Sequence, residues 1–362
     1  MKTRFADKME TDVVIVGAGP AGATVGRQIA NAGFDVLIIE KDISPGKKKV
    51  CGGVMSKQCF TELDLPKEII EKESFKLVLH IQNEKYEVPS KSGNVLFKRE
   101  RLDKLMALKA MKNGAKLLTS TLVSDAFRHD GKIVLHLRRL PQGTRSEVKT
   151  RLAVFADGTS TIAQEKFGVG FQRKPDCTAV AAATELRRQN NPLDSLEFFV
   201  ADQVSPFGYG WIFPKKNSIN VGVICSLSRI KQDIRKYLEN FMISQGINRQ
   251  KTIKFGFRLV PQSPAEKVQS DSVLIVGDAA GTADPLTGAG ISNAIINAKI
   301  AANVAIRALS EKKTNEESLS EYESKWKETS NYLSLVNSHR LQKVALESGI
   351  NYGFFVKMMA LQ

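Results

Sequence analysis

The sequence is poor in the residues that ligate metals or build disulfide frameworks. Its 362 residues include four cysteines and four histidines, and no two cysteines have the C-x-x-C spacing of a zinc or redox site. No H-E-x-x-H pairing of histidines occurs either. We therefore expect neither a bound metal nor a structural disulfide.

Long apolar runs are also absent. No stretch approaches the roughly 18 uninterrupted apolar residues of a membrane-spanning helix. The opening residues, MKTRFADKMETD, lack the apolar core of a secretory signal. We therefore expect a cytoplasmic protein whose contact with a membrane, if it makes one, is peripheral.

Acidic residues are scarce relative to basic ones, since 38 Asp and Glu against 53 Lys and Arg give a net charge of +15. Such an excess favours an anionic partner, namely nucleic acid, a phosphorylated substrate or an acidic membrane surface, although a basic surface can also serve solubility alone. No nucleic-acid-binding module is recognisable, and the aromatic residues do not alternate with basic ones. We expect no nucleic-acid partner.

The sequence does contain a dinucleotide fingerprint near its start. The segment DVVIV at 12–16 is typical of a strand buried on both faces. Gly17, Gly19 and Gly22 follow as G-x-G-x-x-G, the pattern in which a tight turn leads into a helix whose N-terminus meets a pyrophosphate. Glu40 ends the next apolar run, where an acid accepts hydrogen bonds from a ribose and disfavours a 2′-phosphate. This order of features predicts a site for NAD or FAD.

A second motif, far along the chain, favours FAD. The stretch DSVLIVGDAAGTADPLTGAGISNA begins as a buried strand, continues through Asp278 and opens a long helix after Gly290. Together with the A-D-G-T motif around Asp157, this order resembles flavoproteins of the p-hydroxybenzoate hydroxylase type. The resemblance implies that Asp278 contacts the ribityl chain of FAD. It also implies that the helix starting at Gly290 and Ile291 points at the flavin, where a positive helix end stabilises an anionic reduced ring.

The motifs predict a mixed α/β fold in several segments. A Rossmann-like FAD-binding domain is expected to be discontinuous, made of residues 1–65, 98–170 and 268–310. The segments 66–97 and 171–265 alternate apolar and polar residues, which predicts a second, antiparallel-sheet domain for substrate. Residues 311–362 are expected to form a C-terminal helical region. Only one G-x-G-x-x-G occurs, so electrons are expected from an external donor such as NADPH or ferredoxin.

Two further motifs point to a narrower family. In SPFGYGWIFPKK, Tyr209, Trp211 and Phe213 occupy alternate positions, so a strand would present three rings on one face, either as the wall of an apolar cavity or as ordinary core packing. This Y-x-W-x-F-P-K element and the stretch CGGVMS, which begins at Cys51, resemble the geranylgeranyl reductase family over nearly the whole chain. The resemblance implies hydrogenation of isolated C=C bonds in geranylgeranyl chains carried on diphosphate, phospholipid or chlorophyll-type head groups.

The resemblance also assigns roles to individual residues. The loop that begins at Cys51 is expected beside the flavin ring. Arg99, in the R-x-x-L-D segment, is expected against the phosphate-ribose part of the cofactor, with an exposed surface arginine as the alternative. Val123 is placed near the adenine by spacing alone. The expected FAD contacts are Gly17, Gly19, Ala21, Gly22, Glu40, Cys51, Gly52, Val54, Arg99, Val123, Asp278, Gly290 and Ile291, and the expected substrate contacts are Tyr209, Trp211 and Phe213.

The implied reaction delivers a hydride from reduced FAD to one alkene carbon and a proton to the other. Because an unactivated alkene has no carbonyl to polarise, a dry pocket that positions the bond must supply much of the rate. Cys51 and Tyr209 are the candidate catalytic proton donors, with a purely structural role as the alternative for each. The lysines at 47–49 are expected to meet an anionic head group of the isoprenoid lipid.

Two other functions remain open at this point. A flavin-dependent monooxygenase or halogenase has the same fold, and YGWIFP partly matches the halogenase element W-x-W-x-I-P, without its first tryptophan. A flavoprotein that only binds lipid is the other alternative. A strict need for oxygen would distinguish the monooxygenase from the reductase.

Overall fold

The computed structural model describes residues 8–49, 51–81, 84–187, 195–248, 252–348, 352, 353 and 356. Within them the helices are α1 (Pro20–Asn31), α2 (Lys57–Glu62), α3 (Arg99–Lys112), α4 (Ile162–Phe167), α5 (Ile234–Ser244), α6 (Ile291–Ser310), α7 (Glu316–Lys327) and α8 (Ser330–Ser348). The strands are β1 (Lys8–Val16), β2 (Val36–Ile39), β3 (Val54–Ser56), β4 (Ile70–Ile81), β5 (Glu84–Phe97), β6 (Lys116–Leu118), β7 (Thr121–His129), β8 (Lys132–Arg139), β9 (Arg145–Phe155), β10 (Thr178–Arg187), β11 (Leu196–Val200), β12 (Gly208–Pro214), β13 (Ser218–Ser226), β14 (Thr252–Pro261), β15 (Gln269–Ser270) and β16 (Val273–Ile275).

The first sheet contains the predicted β-α-β unit. Its order is β15-β16-β9-β1-β2-β6, and β16, β9, β1, β2 and β6 run parallel. Strands β8 and β7 extend it from β9 in antiparallel fashion. Helix α1 begins with Pro20 at its first position, where a missing N–H costs nothing, and packs against α3 and α6. Because helices cover the sheet, the residues at 13–16 and 36–39 are buried.

The second sheet has the order β14-β10-β13-β12-β11-β4-β5-β3. Its pairs are antiparallel as predicted, except that β4 and β11 run parallel. Alternation alone does not reveal this exception, because side chains alternate with the same period in either direction. Strand β3 lies within the predicted segment 1–65 but pairs with β5 of this sheet. The domain boundaries stay a prediction.

The two faces of the second sheet differ in what covers them. Helix α5 packs on one face, where Tyr237, Leu238 and Phe241 are buried against β10 and β13. The other face carries a separate apolar cluster that includes Trp211 and Phe213. Because neighbouring residues of β12 point to opposite faces, this one strand contributes to both clusters.

The C-terminal helices pack on the first sheet. Tyr322 of α7 donates a hydrogen bond to the carbonyl of Ile275 at 2.7 Å, and Trp326 is fully buried beside it. Most of the apolar end at 349–362 lies outside the described residues, although Tyr352 packs on Phe207 with ring centroids 4.8 Å apart. Among the helices that are described, none has the length and apolar character needed to cross a bilayer.

Candidate active site

The glycine turn between β1 and α1 depends on contacts that a side chain would prevent. Gly17 has a φ of +103°, and a Cβ there would lie 2.4 Å from the carbonyl oxygen of Ala156. A Cβ at Gly22 would lie 2.0 Å from the carbonyl oxygen of Gly17. At Gly19, in contrast, no described residue lies within 4 Å of the Cβ position, and no side chain caps the helix that follows. The turn therefore leaves uncapped helix amides open, as phosphate binding requires.

Glu40 follows β2 directly, as predicted, and its carboxylate holds the glycine turn. One oxygen accepts a hydrogen bond from the N–H of Ala18 and the other from the N–H of Asp42, both at 2.9 Å. Each carboxylate oxygen can accept a further bond. Glu40 thus fixes the turn and keeps acceptor capacity for a ribose.

A cavity of about 410 Å³, here called the basic cavity, is lined in part by Lys41 and Asp42, the two residues that follow Glu40. Burial, together with the charges of Arg258, Arg99 and Lys41, lowers the pKa of Lys49. Cations held this close together favour an anion such as a diphosphate between them. The residues that line the basic cavity are Lys41, Asp42, Lys48, Lys49, Leu122, Leu140, Gly256, Phe257 and Arg258.

Arg99 is buried at the start of α3, so the alternative of an exposed surface arginine is wrong. Its Nε and Nη2 each donate a hydrogen bond to Asp103 at 2.8 Å. Burial alone would lower the pKa of Arg99, but the charge and hydrogen bonds of Asp103 outweigh it and raise that pKa. Val123 is buried on β7, next to Leu122 of the basic cavity. Contacts of Arg99 and Val123 with the cofactor stay predictions.

The motif near the far end of the chain lies against the glycine turn. A Cβ at Gly277 would lie 2.8 Å from the Cβ of Ala21 in α1. Asp278, the next residue, accepts a hydrogen bond from Arg258 of β14. Two motifs more than 250 residues apart therefore meet at one place, as a single cofactor site requires.

Helix α6 begins in the same region. Its first residue is Ile291, its N-cap is Gly290, and no side chain caps the N–H groups of its first turn. A Cβ at Gly290 would lie 3.4 Å from Oδ1 of Asp278. The positive helix end and the Asp278 carboxylate are therefore neighbours, as the resemblance implies.

Asp157 provides a further test of whether FAD fits this chain. Its Oδ2 accepts a hydrogen bond from the N–H of Ile162 at 2.9 Å, whereas its Oδ1 is buried with no hydrogen-bond partner among the described residues. Burial raises the pKa of Asp157 to about 6, against hydrogen bonds from Ile162 and Thr161 that lower it. Its Cα is 3.3 Å from the Cβ position of Gly17. A buried oxygen without a partner beside the turn fits a ligand that brings a hydrogen-bond donor, such as a hydroxyl.

An aromatic wall lies on the second sheet and consists of Tyr209, Trp211, Phe213 and Phe198. The three rings of β12 form one row, as predicted, with centroids 6.0 Å apart between Tyr209 and Trp211 and 6.1 Å between Trp211 and Phe213. Phe198 of β11 lies 5.6 Å from Tyr209 and 5.1 Å from Phe213. This wall faces away from α5 and is apolar, with Trp211 and Phe213 buried and Phe198 and Tyr209 half-buried.

The Cys51 loop rests on the aromatic wall. A Cβ at Gly52 would lie 2.7 Å from the ring of Phe213, and a Cβ at Gly53 would lie 2.1 Å from the carbonyl oxygen of Phe97. Val54 begins β3 and packs with the same cluster. Only glycine allows the backbone to approach the wall this closely.

Tyr209 connects the wall to the segment before α6. Its hydroxyl donates a hydrogen bond to the carbonyl of Thr287. Burial, and then the charges of Tyr352, Asp284 and Cys51, raise the pKa of Tyr209. The phenol therefore keeps its proton at neutral pH. The structure brings Cys51 and Tyr209 into one region, and their catalytic roles stay predictions.

A buried polar network lies behind the wall, and no motif in the sequence predicts it. Glu185 of β10 accepts hydrogen bonds from Lys215 at 3.1 Å, Ser218 at 2.5 Å and Asn220 at 3.0 Å. Asn220 in turn accepts a hydrogen bond from the indole of Trp211 at 2.8 Å. The only signals in the sequence are one acid in the apolar run AVAAATEL and one lysine after the F-P pair.

Comparison with known proteins identifies the family of the chain. A family model described as an FAD binding domain matches residues 10–333. Digeranylgeranylglycerophospholipid reductase 2 of Methanothermobacter thermautotrophicus is 33% identical over 330 residues, which are 88% of this chain and 84% of that protein. A solved structure from Thermoplasma acidophilum, described as geranylgeranyl bacteriochlorophyll reductase-like, has a TM-score of 0.85 at 25% identity and covers 97% of this chain and 91% of its own.

The predicted alternatives have structural neighbours as well. A flavin-dependent brominase superposes with a TM-score of 0.70 at 16% identity, covering 96% of this chain and 94% of its own, which shows a common fold and no more. The family model and the reductase relative both span most of the chain, and they confirm the predicted α/β fold and the predicted cofactor. The chain therefore belongs to the FAD-binding family and, within it, to the geranylgeranyl reductases, with FAD as its cofactor.

Proposed function

We propose that the protein is a reductase that saturates isolated C=C bonds of geranylgeranyl chains on a lipid with an anionic head group. The observation that carries this proposal is the aromatic wall, on which the Cys51 loop rests with Gly52 against Phe213. The names of two similar proteins, digeranylgeranylglycerophospholipid reductase and geranylgeranyl bacteriochlorophyll reductase-like, support an isoprenoid substrate.

The glycine turn, Glu40 and the basic cavity are the parts that would hold the cofactor. Open amides at Gly19 and the lysines of the cavity suit the diphosphate, and Asp278, which neighbours the start of α6, suits the ribityl chain. When bound and reduced, FAD supplies the hydride for the alkene.

The aromatic wall positions the hydrocarbon and excludes water. Tyr209 and Phe213 are fixed by ring contacts with Phe198, and Trp211 lies between them with its indole held by Asn220. Holding the double bond in a reactive position lowers the entropy cost of the reaction, which matters most for an alkene that nothing polarises.

Proton delivery is assigned to Tyr209 or Cys51. Tyr209 is protonated at neutral pH, as any phenol of ordinary pKa is, and burial raises its pKa further. Cys51 is half-buried in the loop that rests on the wall. Tyr209→Phe removes the phenolic proton and Cys51→Ser removes the thiol proton, and each change keeps the shape of the side chain. The slower of the two variants therefore identifies the donor.

The lipid head group and the electron donor would both contact the surface of the protein. Lys47 and Lys48 are exposed beside the basic cavity, where they suit an anionic head group, whereas Lys49 faces the cations inside. The donor is external, and NADPH and ferredoxin are the two to be compared.

The experiment that tests this function is anaerobic. The enzyme is reduced photochemically, a geranylgeranyl phospholipid is added, and the return of the oxidised flavin absorbance is followed together with the lipid mass. We expect reoxidation without oxygen and a gain of two hydrogens for each bond saturated. Reoxidation only after oxygen is admitted would instead establish a monooxygenase if the lipid gains oxygen. It would establish a lipid carrier if the bound lipid is unchanged and the oxygen is reduced to hydrogen peroxide.

A matched pair of variants locates the reaction at the wall. Phe198→Leu removes a ring from the aromatic wall, whereas Phe75→Leu makes the same change on β4, where Phe75 is 56% exposed. We expect Phe198→Leu to slow reoxidation at least about tenfold while both variants keep their flavin. Equal rates for the two variants would exclude the wall as the substrate surface.

A further inference from the structure

Strand β14 is the outer strand of the second sheet, and it exposes large apolar side chains. Phe255 and Phe257 are 45% and 71% exposed, and Ile253, at an irregularity near the start of the strand, is 56% exposed. In the register with β10, Phe257 lies opposite Ala182, which belongs to the cluster covered by α5. The two rings therefore stand on the α5 side of the sheet, beyond the area that helix covers. Several large apolar side chains exposed together mark an interaction surface.

Positive charge flanks these side chains on the other face of the strand, because Lys254 and Arg258 alternate with Phe255 and Phe257. The ammonium of Lys254 donates a hydrogen bond to the carbonyl of Lys47, which places the segment 41–49 against β14. Within that segment Ile43 is also exposed, at 63%. Segment 41–49 and β14 together contain one acid, Asp42, and the cations Lys41, Lys47, Lys48, Lys49, Lys254 and Arg258.

We propose that this surface, the docking edge formed by β14 and the segment 41–49, binds the face of an anionic lipid bilayer. Exposed Phe and Ile side chains enter the interfacial layer while neighbouring lysines meet the lipid phosphates, and the two contributions add. The inference accords with a lipid substrate, but it rests on side chains outside the aromatic wall and can be tested without turnover.

A second copy of the chain suits the docking edge less well. Most closed dimers are two-fold symmetric, so the same patch would face itself. The cations of segment 41–49 and β14 would then oppose one another, and like charges brought together at an interface cost free energy. An anionic bilayer, in contrast, presents negative phosphates to the lysines and an apolar layer to the exposed rings.

The test uses the flavin-loaded protein and vesicles without isoprenoid substrate. Co-sedimentation is measured with vesicles of equal parts phosphatidylglycerol and phosphatidylcholine, with phosphatidylcholine alone, and with the mixed vesicles at high salt. We expect binding to the mixed vesicles, weaker by about tenfold or more without the anionic lipid and at high salt, because charge attraction to the surface is lost.

Variants of the docking edge separate it from the rest of the surface. Ile253→Ser with Phe255→Ser should weaken vesicle binding by about tenfold or more. The matched control is Leu333→Ser with Val344→Ser on α8, whose side chains are 53% and 57% exposed, and its binding should equal that of the unchanged protein. Flavin absorbance and thermal unfolding check that both variants fold.

A gain-of-signal variant covers the case in which serine substitution disturbs β14. Phe255→Trp keeps a large ring at the docking edge, and its fluorescence should shift to shorter wavelength on addition of mixed vesicles, whereas Leu333→Trp should show no shift. The proposal is overturned if the unchanged protein stays in the supernatant with mixed vesicles. It is also overturned if Ile253→Ser with Phe255→Ser binds the vesicles as strongly as the control, Leu333→Ser with Val344→Ser. A dimer in solution that Ile253→Ser with Phe255→Ser converts to monomer would overturn it in favour of a second copy.

Discussion

The ammonium nitrogen of Lys215 lies 3.1 Å from Oε2 of Glu185, with both side chains buried in the second sheet. Lys215 Nζ is also 3.7 Å from the Cβ position of Gly53, so it lies beneath the Cys51 loop. A buried ion pair is tolerated when hydrogen bonds fill its remaining capacity, and Asn220 supplies one here while holding the Trp211 indole. The pair therefore links the loop and the aromatic wall through one carboxylate.

Glu185→Gln should destabilise the protein more than removal of the whole pair. The substitution keeps the shape of the side chain but leaves the Lys215 charge buried opposite a neutral amide, which costs about 3 kcal/mol of unfolding free energy. The double variant Glu185→Leu with Lys215→Met buries no charge and should lose less. Urea denaturation of the three proteins checks this order, and a double variant at least as unstable as Glu185→Gln would contradict it.

The parts of the site that follow from local sequence were predictable. Gly22 and Glu40 act through contacts within one β-α-β unit, and a tight turn before a helix has a distinct sequence pattern, although the close contact of Gly17 is with Ala156, which directly follows β9. The row formed by Tyr209, Trp211 and Phe213 follows from the alternation of a strand, whatever that strand pairs with.

The parts that depend on distant pairing were not predictable. Glu185 meets Lys215 because β13 lies between β10 and β12, and sheet order has no local signal. Likewise Arg258 reaches Asp278 only because β14 of one sheet lies beside the 277–280 turn of the other. The parallel pairing of β4 and β11 was not predictable either, because side chains alternate in the same way in parallel and antiparallel strands.

Gly19→Ala should weaken FAD binding much more than it weakens the fold. Gly19 has a φ of −72°, which any residue adopts, and no described residue lies near its Cβ position. The unfolding free energy of the flavin-free chain should fall by no more than about 1 kcal/mol, because Gly19 is the N-cap of α1 and alanine is less favourable there than glycine. The added methyl group would stand where the diphosphate approaches, so FAD affinity, measured by quenching of flavin fluorescence, should fall at least about tenfold.

Gly22→Ala is the matched control, because the same methyl group would lie 2.0 Å from the carbonyl oxygen of Gly17. This variant should lose both stability and flavin, since the turn must shift to accommodate it. If Gly19→Ala had the same low unfolding free energy as Gly22→Ala, the open space at the Cβ position of Gly19 would not explain the difference between the two glycines.

Lys49→Met should reduce FAD affinity while leaving the flavin-free chain as stable as before or more so. Burial and the charges of Arg258, Arg99 and Lys41 lower the pKa of Lys49, so the charged ammonium subtracts from stability at neutral pH. Loss of that charge removes the repulsion, but also a cation for the diphosphate, and affinity should fall about tenfold. Lys174→Met, which changes an exposed lysine, should alter neither quantity. If Lys49→Met had a lower unfolding free energy than Lys174→Met, the inference that neighbouring cations repel Lys49 would be wrong.

Asp157→Asn should change how the stability of the flavin-free chain depends on pH. Because burial raises the pKa of Asp157 to about 6, above its ordinary value of 3.8, the folded chain binds more protons than the unfolded chain between these values. The Asp157 contribution to stability is therefore full below pH 3.8 and is lost as the pH rises through about 6. Asn does not titrate. As the pH rises across that window, the unfolding free energy of the variant should therefore increase relative to that of the unchanged protein, and above the window the difference should stay constant. Urea denaturation at a series of pH values measures the difference, and a difference that is flat from pH 4 to 6 would show that this carboxyl titrates normally.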